Sequence, residues 1–375
     1  MQYQHVCLEA ISYTLPDEVV TSAELEQQLE PLYQRLRLPE GRLELMTGIR
    51  ERRFWPRGTL PSEKSIETAD KAIRAAGIDR ADIGALVHGS VCRDYLEPAT
   101  ASGVHHGLGL SRNCIVYDVS NACLGLLDGI VQVANMIELR QIRAGVVVGT
   151  ESSRQLVETT IKQLNSDTSL TREQVKLAVA SLTIGSGSAA VVLVHEDLSR
   201  TGNRIVGGFA LAETSGHRLC HSGRDEAVAG GMQPLMQTDS ETLMHEGIAA
   251  GKRAFSSFLD EVGWSRRDVR KTFCHQVGLA HRKLMLDAFE LDPAADYPTV
   301  QFLGNTGSVA LPITMAIGIE NGHLQPRDRV ALLGIGSGIN VLMLAVDWQT
   351  SGATGSDSAS QLQAEIDTSL AGCRE

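Results

Sequence analysis

One pattern occurs twice in this chain at a nearly constant displacement, and that repetition constrains the fold more than any other feature of the sequence. AGIDRADIGALVHGS (Ala76 to Ser90) returns as VGWSRRDVRKTFCHQ (Val262 to Gln276), with Gly77 over Gly263 and Asp82 over Asp268, both 186 residues apart. VSNACLG, ending at Gly125, returns as LGNTGSV (Leu303 to Val309), and Asn305 follows Asn121 by 184 residues. VVVGTE (Val146 to Glu151) returns as ALLGIG (Ala331 to Gly336), and Gly334 follows Gly149 by 185 residues. Three matches in one order at nearly one displacement argue for a duplicated fold of two similar, pseudo-symmetric halves. The length of 375 residues agrees, because single cores stop growing at about 250–300 residues.

The repeated unit is a helix followed by a strand. Ile66, Ala69, Ile73 and Ala76 share one helical face, Gly77 supplies the stop, and Ile83 to Val91 reads as a buried strand. Ahead of it lie a β-type run near Val6 to Ile11 and a helix capped by Thr21 or Ser22, with Glu24 following. Each half also holds a helix that is apolar almost all round, Leu124 to Ile137 and Val309 to Ile319, with Pro312 tolerated near the start of the second. Such helices need burial on every side. Two of them back to back between two parallel-rich sheets, with amphipathic helices outside, give a five-layer α/β/α/β/α sandwich of the α/β class. The expected boundaries are 1–197 for the N-terminal half, 198–350 for the C-terminal half, and 351–375 for a mobile Ser-, Gly-, Ala- and Asp-rich tail with one short helix at Leu362 to Leu370.

With 34 basic and 45 acidic residues the formal charge is −11, and there is no long basic run to serve nucleic acid or an anionic membrane. No apolar run reaches the roughly 18 residues of a spanning helix, and MQYQHVCLEA lacks the charged-then-apolar order of a secretory leader. A cytoplasmic location is expected. Seven cysteines without a CxxC or a paired framework fit a reducing compartment, and no structural disulfide is expected.

The chemistry concentrates where the repeats turn polar. In YDVSNACLG (Tyr117 to Gly125) a β-type run from Cys114 to Val119 passes through Ser120 and Asn121 into the apolar helix, which puts Cys123 at a helix N-terminus. Unpaired N–H groups and the positive end of the helix dipole favour thiolate there, so Cys123 reads as a nucleophile with a lowered pKa. The competing reading is a small buried hydrophobe, the usual state of a free cysteine. The duplication brings GNTG (Gly304 to Gly307), at the start of the second central helix, close to Cys123, and adds the strand end CHQV (Cys274 to Val277). His275 suits proton transfer, and Asn305 offers a neutral amide that hydrogen-bonds a carbonyl or enolate oxygen without titrating. Glycines around Asn305 and in GIGSG (Gly334 to Gly338) allow close backbone approach, and an N–H there together with that of Cys123 would form an oxyanion hole.

TGIRER, DVSNACLG, HQV, GNTGSVALP and GIGSG, in this order and spacing, resemble ketoacyl-ACP synthase III of the thiolase superfamily over residues 1–348. The resemblance implies that Cys123 is the acyl-accepting nucleophile, that His275 and Asn305 assist carbon–carbon bond formation, and that the backbone N–H of Ser337 completes the oxyanion hole. It also implies a homodimer that acts on acyl thioesters and needs no cofactor or metal. VCRDYLEPATAS (Val91 to Ser102) further resembles the subfamily that begins long-chain olefin biosynthesis by non-decarboxylative Claisen condensation of two acyl-CoAs. In that subfamily the residue matching Glu97 enters the partner subunit's site as the base for the α-proton of the second acyl chain. Decarboxylation generates its own carbanion, whereas joining two unactivated thioesters requires a proton acceptor. The bland reading of Glu97 is a solvated turn before Pro98.

The match has departures. Met46 and Arg42 stand where type III synthases carry an arginine and a tryptophan that hold CoA or carrier protein, and Gly278 replaces an asparagine at the pantetheine arm. Acyl-CoA as donor therefore follows from the subfamily, and delivery by an acyl carrier protein stays open. The alternative reactions are decarboxylative condensation with malonyl thioester and acyl transfer to an oxygen or nitrogen acceptor. A reading from a different class is a non-catalytic partner subunit that only lends Glu97, against which Cys123, His275 and Asn305 together weigh. TGIRERRFW (Thr47 to Trp55), with Arg50, Arg52, Arg53 and the following Arg57, reads as a solvated basic turn or an anion site. His217, Cys220 and His221 have the types of zinc ligands without an evident fourth. TIGSGSAAVVL (Thr183 to Leu193) lacks the lysine of a phosphate loop and reads as a core strand. Met232, Met236 and Met244 with Leu235 and Leu243 suit either an acyl channel or a gap-filled core.

Overall fold

Alternate side chains of a strand point to opposite faces, so a strand covered on both faces must be apolar throughout. Nine strands make up the body of the computed structural model, which describes residues 1–223 and 235–350 and the backbone of 353–354; the inner ones come nearest to that rule, while the edge strand Ile115–Val119 is only partly buried. They are β1 (Val6–Thr14), β2 (Ile83–Gly89), β3 (Ile115–Val119), β4 (Ala144–Glu151), β5 (Gly187–His195), β6 (Arg204–Ala212), β7 (Lys271–Cys274), β8 (Arg329–Gly336) and β9 (Asn340–Asp347). Their spatial order is β7-β8-β9-β6-β1-β5-β4-β2-β3, and Ala353–Thr354 pairs with β1. Met232 and the segment Leu362 to Leu370 lie outside the described residues.

The duplication is visible in the pairing. In the first half β3, β2 and β4 are mutually parallel, while β4–β5 and β5–β1 are antiparallel. In the second half β7–β8 is parallel, while β8–β9 and β9–β6 are antiparallel. The two sheets expected from the sequence are in fact joined into one ten-stranded sheet, because β1 meets β6 through a single bridge, Cys7 to Arg204. The repeated glycines end corresponding helices, α1 (Pro61–Ala76) and α4 (Ser240–Val262). Gly77 (φ +59°) and Gly263 (φ +68°) are both left-handed caps that a side chain would strain. Thr21 and Glu24 form a reciprocal capping box on the helix Ser22–Gln28.

Five layers result. In β5, Ala189, Val191 and Leu193 enter the central core, while Ala190, Val192 and Val194 enter an outer core with α1 and α2 (Thr100–Leu108). In β8, Val330 and Leu332 face the centre, while Ala331 and Leu333 meet α4 and α5 (Leu279–Phe289). The central layer holds α3 (Gly125–Glu138) and α6 (Ala310–Glu320). All of Ala310–Ile319 in α6 is buried, and its one hydroxyl, on Thr314, lies 2.6 Å from the Thr299 hydroxyl. Burial on every side does not hold for α3. Gln132 and Asn135 reach solvent and Asp128 is half-buried, an i, i+4, i+7 strip that gives this helix one polar edge.

The start of α3 is pressed onto the sheet. A Cβ on Gly89 would stand 2.5 Å from the Gly125 carbonyl oxygen, and one on Gly149 2.4 Å from that of Gly89, so glycine is required at both strand positions. Burial of α6 predicts that Ile313→Ala lowers the free energy of unfolding in chemical denaturation by about 2–5 kcal/mol. Truncating the exposed Leu139 to alanine is expected to change it by no more than about 0.5 kcal/mol.

Candidate active site

The turn that carries Cys123 joins β3 to α3. Ala122 adopts φ +45°, a left-handed conformation that costs a non-glycine residue roughly 1–2 kcal/mol, and the following Leu124 N–H bonds the Asn121 carbonyl at 2.9 Å. The Asn121 side chain holds this turn from both directions: its Nδ2 donates to Asp128 Oδ2 at 2.6 Å, and its Oδ1 accepts from Asn340 Nδ2 at 3.1 Å. Asn340 opens β9, so the turn is tied to the loop that leaves β8. That loop passes directly over the cysteine, since a Cβ on Gly336 would lie 3.6 Å from both Cys123 Cβ and Cys123 N.

Electrostatics at the thiol run against the sequence expectation. Burial pushes the Cys123 thiol up to about 12, with Cys220 and Glu151 adding to the rise, while the backbone N–H groups of Ser337 and of Cys123 itself bond the sulfur and oppose it. Desolvation therefore outweighs the helix N-terminus, and the resting group is a neutral thiol. The residue keeps some accessible surface, yet its sulfur is surrounded by protein. The two N–H groups on the sulfur are the pair named from the sequence for an oxyanion hole, and they are fixed by backbone geometry before any substrate arrives.

His275 follows β7. Cys274 pairs with Leu333, which brings His275 level with Gly334, whose own backbone lies against Leu124 and Leu127 of the cysteine turn and α3. Its N–H bonds the Leu333 carbonyl at 3.1 Å, and neither ring nitrogen has a hydrogen-bond partner among the described residues. Burial, and then the neighbouring His281, push its pKa down to about 3, so the imidazole is neutral and offers one donor and one acceptor. Gln276 braces the strand end: its Nε2 donates to the Cys274 carbonyl at 2.9 Å, and its Oε1 accepts from the Thr299 and Val300 N–H groups.

Asn305 is set by its own backbone. Its N–H bonds the Thr183 carbonyl and its carbonyl accepts from Gly185 N–H, both at 2.9 Å. Its Oδ1 accepts from Gly307 N–H at 3.0 Å, which orients the amide and leaves Nδ2 as the donor to a ligand. Thr183 to Leu193 is thus the platform for Asn305 and the core strand β5; a Cβ on Gly185 would collide with the Leu303 carbonyl.

A residue that the sequence reading did not single out joins these parts. Glu151, the last residue of β4, is 5% exposed and acts electrostatically on Cys123. Its Oε1 accepts from Ser308 Oγ at 2.6 Å and from Val91 N–H at 3.0 Å. The signal available was an acid closing an otherwise apolar strand, in the VVVGTE copy of a repeat whose other copy ends in glycine.

Glu97 is not brought to this cluster by its own chain. It is exposed on the segment between β2 and α2, whose ends are tied to β3: Ser90 N–H bonds the Val119 carbonyl, and Thr100 and Ala101 N–H bond Asp118. Other motifs resolve structurally. Arg52 and Arg53 are buried braces rather than a solvated turn; Arg52 bonds the Val20 carbonyl and Ser22 Oγ, and burial pushes its pKa down to about 10. Arg57 is exposed and pairs with Glu158. Among the described residues no cluster of His, Cys, Asp or Glu is arranged to hold a metal, His217 and His221 are exposed, and no helix is long and apolar enough to cross a membrane. Cys220 instead neighbours Cys123 electrostatically and accepts from Thr238 Oγ1 at 3.3 Å.

Known proteins resemble this chain over most of its length. The family described as Thiolase, N-terminal domain matches residues 57–186, and 3-Oxoacyl-[acyl-carrier-protein (ACP)] synthase III C terminal matches residues 259–348. The chain is 44% identical over 351 residues to an acyl-CoA:acyl-CoA alkyltransferase of Shewanella oneidensis, covering 93% of this chain and 100% of the relative. It is 34% identical over 348 residues to the acyl-CoA:acyl-CoA alkyltransferase of Xanthomonas campestris, again covering 93% and 100%. A crystal structure of Xanthomonas campestris OleA with bound lauric acid and lauroyl-CoA matches with a TM-score of 0.86 at 33% identity, covering 92% of this chain and 100% of that one.

The electrostatics of the site give a pH prediction. Because the thiol titrates at about 12, alkylation of Cys123 by iodoacetamide, followed by peptide mass spectrometry, is expected to accelerate about tenfold per pH unit through the neutral range without a plateau. A plateau near neutrality would instead show a thiolate already formed.

Proposed function

Because the chain belongs to the acyl-CoA:acyl-CoA alkyltransferase family, enzymes with the thiolase fold, we propose that it joins two fatty acyl-CoAs by Claisen condensation without decarboxylation. Cys123 Sγ attacks the first thioester carbonyl while its proton passes to the neutral His275. Transfer and attack proceed together, since a thiol near 12 and an imidazole near 3 disfavour a standing ion pair. The developing oxyanion lies against the N–H groups of Cys123 and Ser337, and CoA leaves as its thiol. For the second step a carboxylate removes the α-proton of another acyl-CoA, and Asn305 Nδ2 and His275 stabilise the resulting enolate oxygen. The α-carbon then attacks the acyl-Cys123 carbonyl, and collapse of the tetrahedral intermediate releases a β-keto thioester and Cys123, whose sulfur takes up the proton the carboxylate had removed.

The observation that carries this reading is where Glu97 stands. Its segment is exposed and presents three large apolar side chains, Tyr95 at 59% exposure with Val91 and Leu96, and it is moored to β3, the edge of the sheet. Among the described residues β3 leaves one row of backbone N–H and C=O groups without a strand partner and exposes Ile115 at 47%, features that single subunits avoid and that a second copy would cover. A homodimer closed edge to edge along β3 carries Glu97 of the partner subunit away from its own cysteine and toward the other. The base is then supplied in trans, and each site needs both chains.

Two substitutions test the roles. Cys123→Ala is expected to abolish the covalent acyl-enzyme seen by intact mass after exposure to acyl-CoA, and equal loading of the variant would refute Cys123 as nucleophile. Glu97→Gln is expected to keep that loading and to lose about a hundredfold to ten-thousandfold in condensation, the usual cost of a missing general base. Co-expression of differently tagged Glu97→Gln and Cys123→Ala chains, with the mixed dimer purified through both tags, is expected to recover activity in one of its two sites. A mixed dimer as inactive as its parents would rule out action across the interface.

A further inference from the structure

Glu151 is a buried carboxylate to which the mechanism above gives no task. Its contacts are neutral donors drawn from two separate loops. Val91 N–H at 3.0 Å and Cys92 N–H at 3.3 Å belong to the root of the segment that ends in Glu97. Ser308 Oγ at 2.6 Å and Ser308 N–H at 3.3 Å belong to the turn that follows Asn305. The second loop is seated on the carboxyl group itself: a Cβ on Gly307 would stand 3.2 Å from Glu151 Cδ, and Gly307 N–H is the donor that orients the Asn305 side chain. The backbone of Glu151 is anchored in turn, by pairing with Gly187 in β5 and by Trp55 Nε1 on its carbonyl at 3.1 Å.

We propose that Glu151 is a positioning residue that registers two loops against each other, the one holding the subunit's own Asn305 and the one lending Glu97 to its partner. The proposal rests on the reading of Glu97 as a base that acts across a dimer. A carboxylate suits the task because both of its oxygens accept, so that the backbone N–H groups of both loops converge on one rigid group. An amide in its place keeps the shape and can keep an oxygen for Val91 and Ser308, but turns its NH2 toward the Cys92 N–H, which loosens the root of the Glu97 segment. The reacting α-carbon must meet Glu97, Asn305 and the acyl-cysteine together, and a displacement of about 1 Å in one of them costs on the order of a hundredfold. Loading of Cys123 needs neither loop in register.

The test compares Glu151→Gln with Glu97→Gln in the full-length protein, with acyl-CoA as the only substrate. Glu151→Gln is expected to load Cys123 and to lose condensation through kcat, by about tenfold to a hundredfold, with KM for acyl-CoA little changed. It is also expected to speed iodoacetamide alkylation of Cys123 at fixed pH, because the Glu151 charge is one of the groups that raise this thiol. Ser308→Ala removes one donor and keeps the charge; it is expected to lower condensation less and to leave alkylation unaltered. Condensation by Glu151→Gln at the parent rate, or loss of loading and condensation in equal measure, would overturn the proposal. Should Glu151→Gln fail to fold, unaltered condensation in Ser308→Ala would overturn it and a selective loss would uphold it. Condensation that survives in Glu97→Gln is the failure of the underlying reading, whereas survival in Glu151→Gln alone is the failure of this one.

Discussion

Seating the helices α3 and α6 between the two halves of the sheet demands that backbones approach to contact distance, and the chemistry of the site is a consequence of that closeness. Where the helices begin, strand ends are pressed against them through glycines: Gly89 against Gly125, Gly336 against Cys123, Gly185 against Leu303. The same closeness excludes solvent. It raises the Cys123 thiol and lowers the His275 imidazole, so both stand uncharged in the resting site. A charged pair would carry a desolvation penalty of several kcal/mol per ion, which the neutral pair avoids until attack on a thioester places charge between fixed donors. Backbone N–H groups and one amide then act at low dielectric, where they are worth more than in water.

The duplication divides labour between halves. In the proposed reading the first half delivers Cys123 and Glu151 from the ends of β3 and β4, and the second delivers His275 and Ser337 from the ends of β7 and β8 and Asn305 from the turn before α6. An acyl transferase with only these groups can form an acyl-enzyme. Carbon–carbon bond formation between two unactivated chains needs one more group, a base, and the proposed base, Glu97, stands on an exposed segment moored to the edge strand of the sheet. The chemistry and the assembly state are therefore one question.

Much of this was legible in the sequence because close packing leaves strong marks. The spacing of Gly77 and Gly263, the unbroken apolar run of Val309 to Ile319, and the polar residues at the starts of both central helices made the layers legible. Other features leave no such mark. The direction of the thiol shift depends on how dry the site is, a property of tertiary packing that a helix start does not reveal. Arg52 and Arg53 look like a surface cluster, yet they are internal braces, because alternation along a short strand is obscured when both arginines turn inward. The polar edge of α3 rests on three residues in an otherwise apolar run. Glu151 looks like the polar end of a strand, and only the convergence of Val91, Cys92 and Ser308 upon it reveals an anchor.

The central claim is that two acyl chains are joined with the loss of no carbon. Incubating the pure protein with a single uniformly 13C-labelled acyl-CoA, and following the products by mass spectrometry, tests it directly. The account predicts a β-keto product that retains every carbon of both labelled chains, formed without malonyl-CoA and without labelled carbon dioxide. A product that appears only when malonyl-CoA is added, extended by two unlabelled carbons, would contradict it.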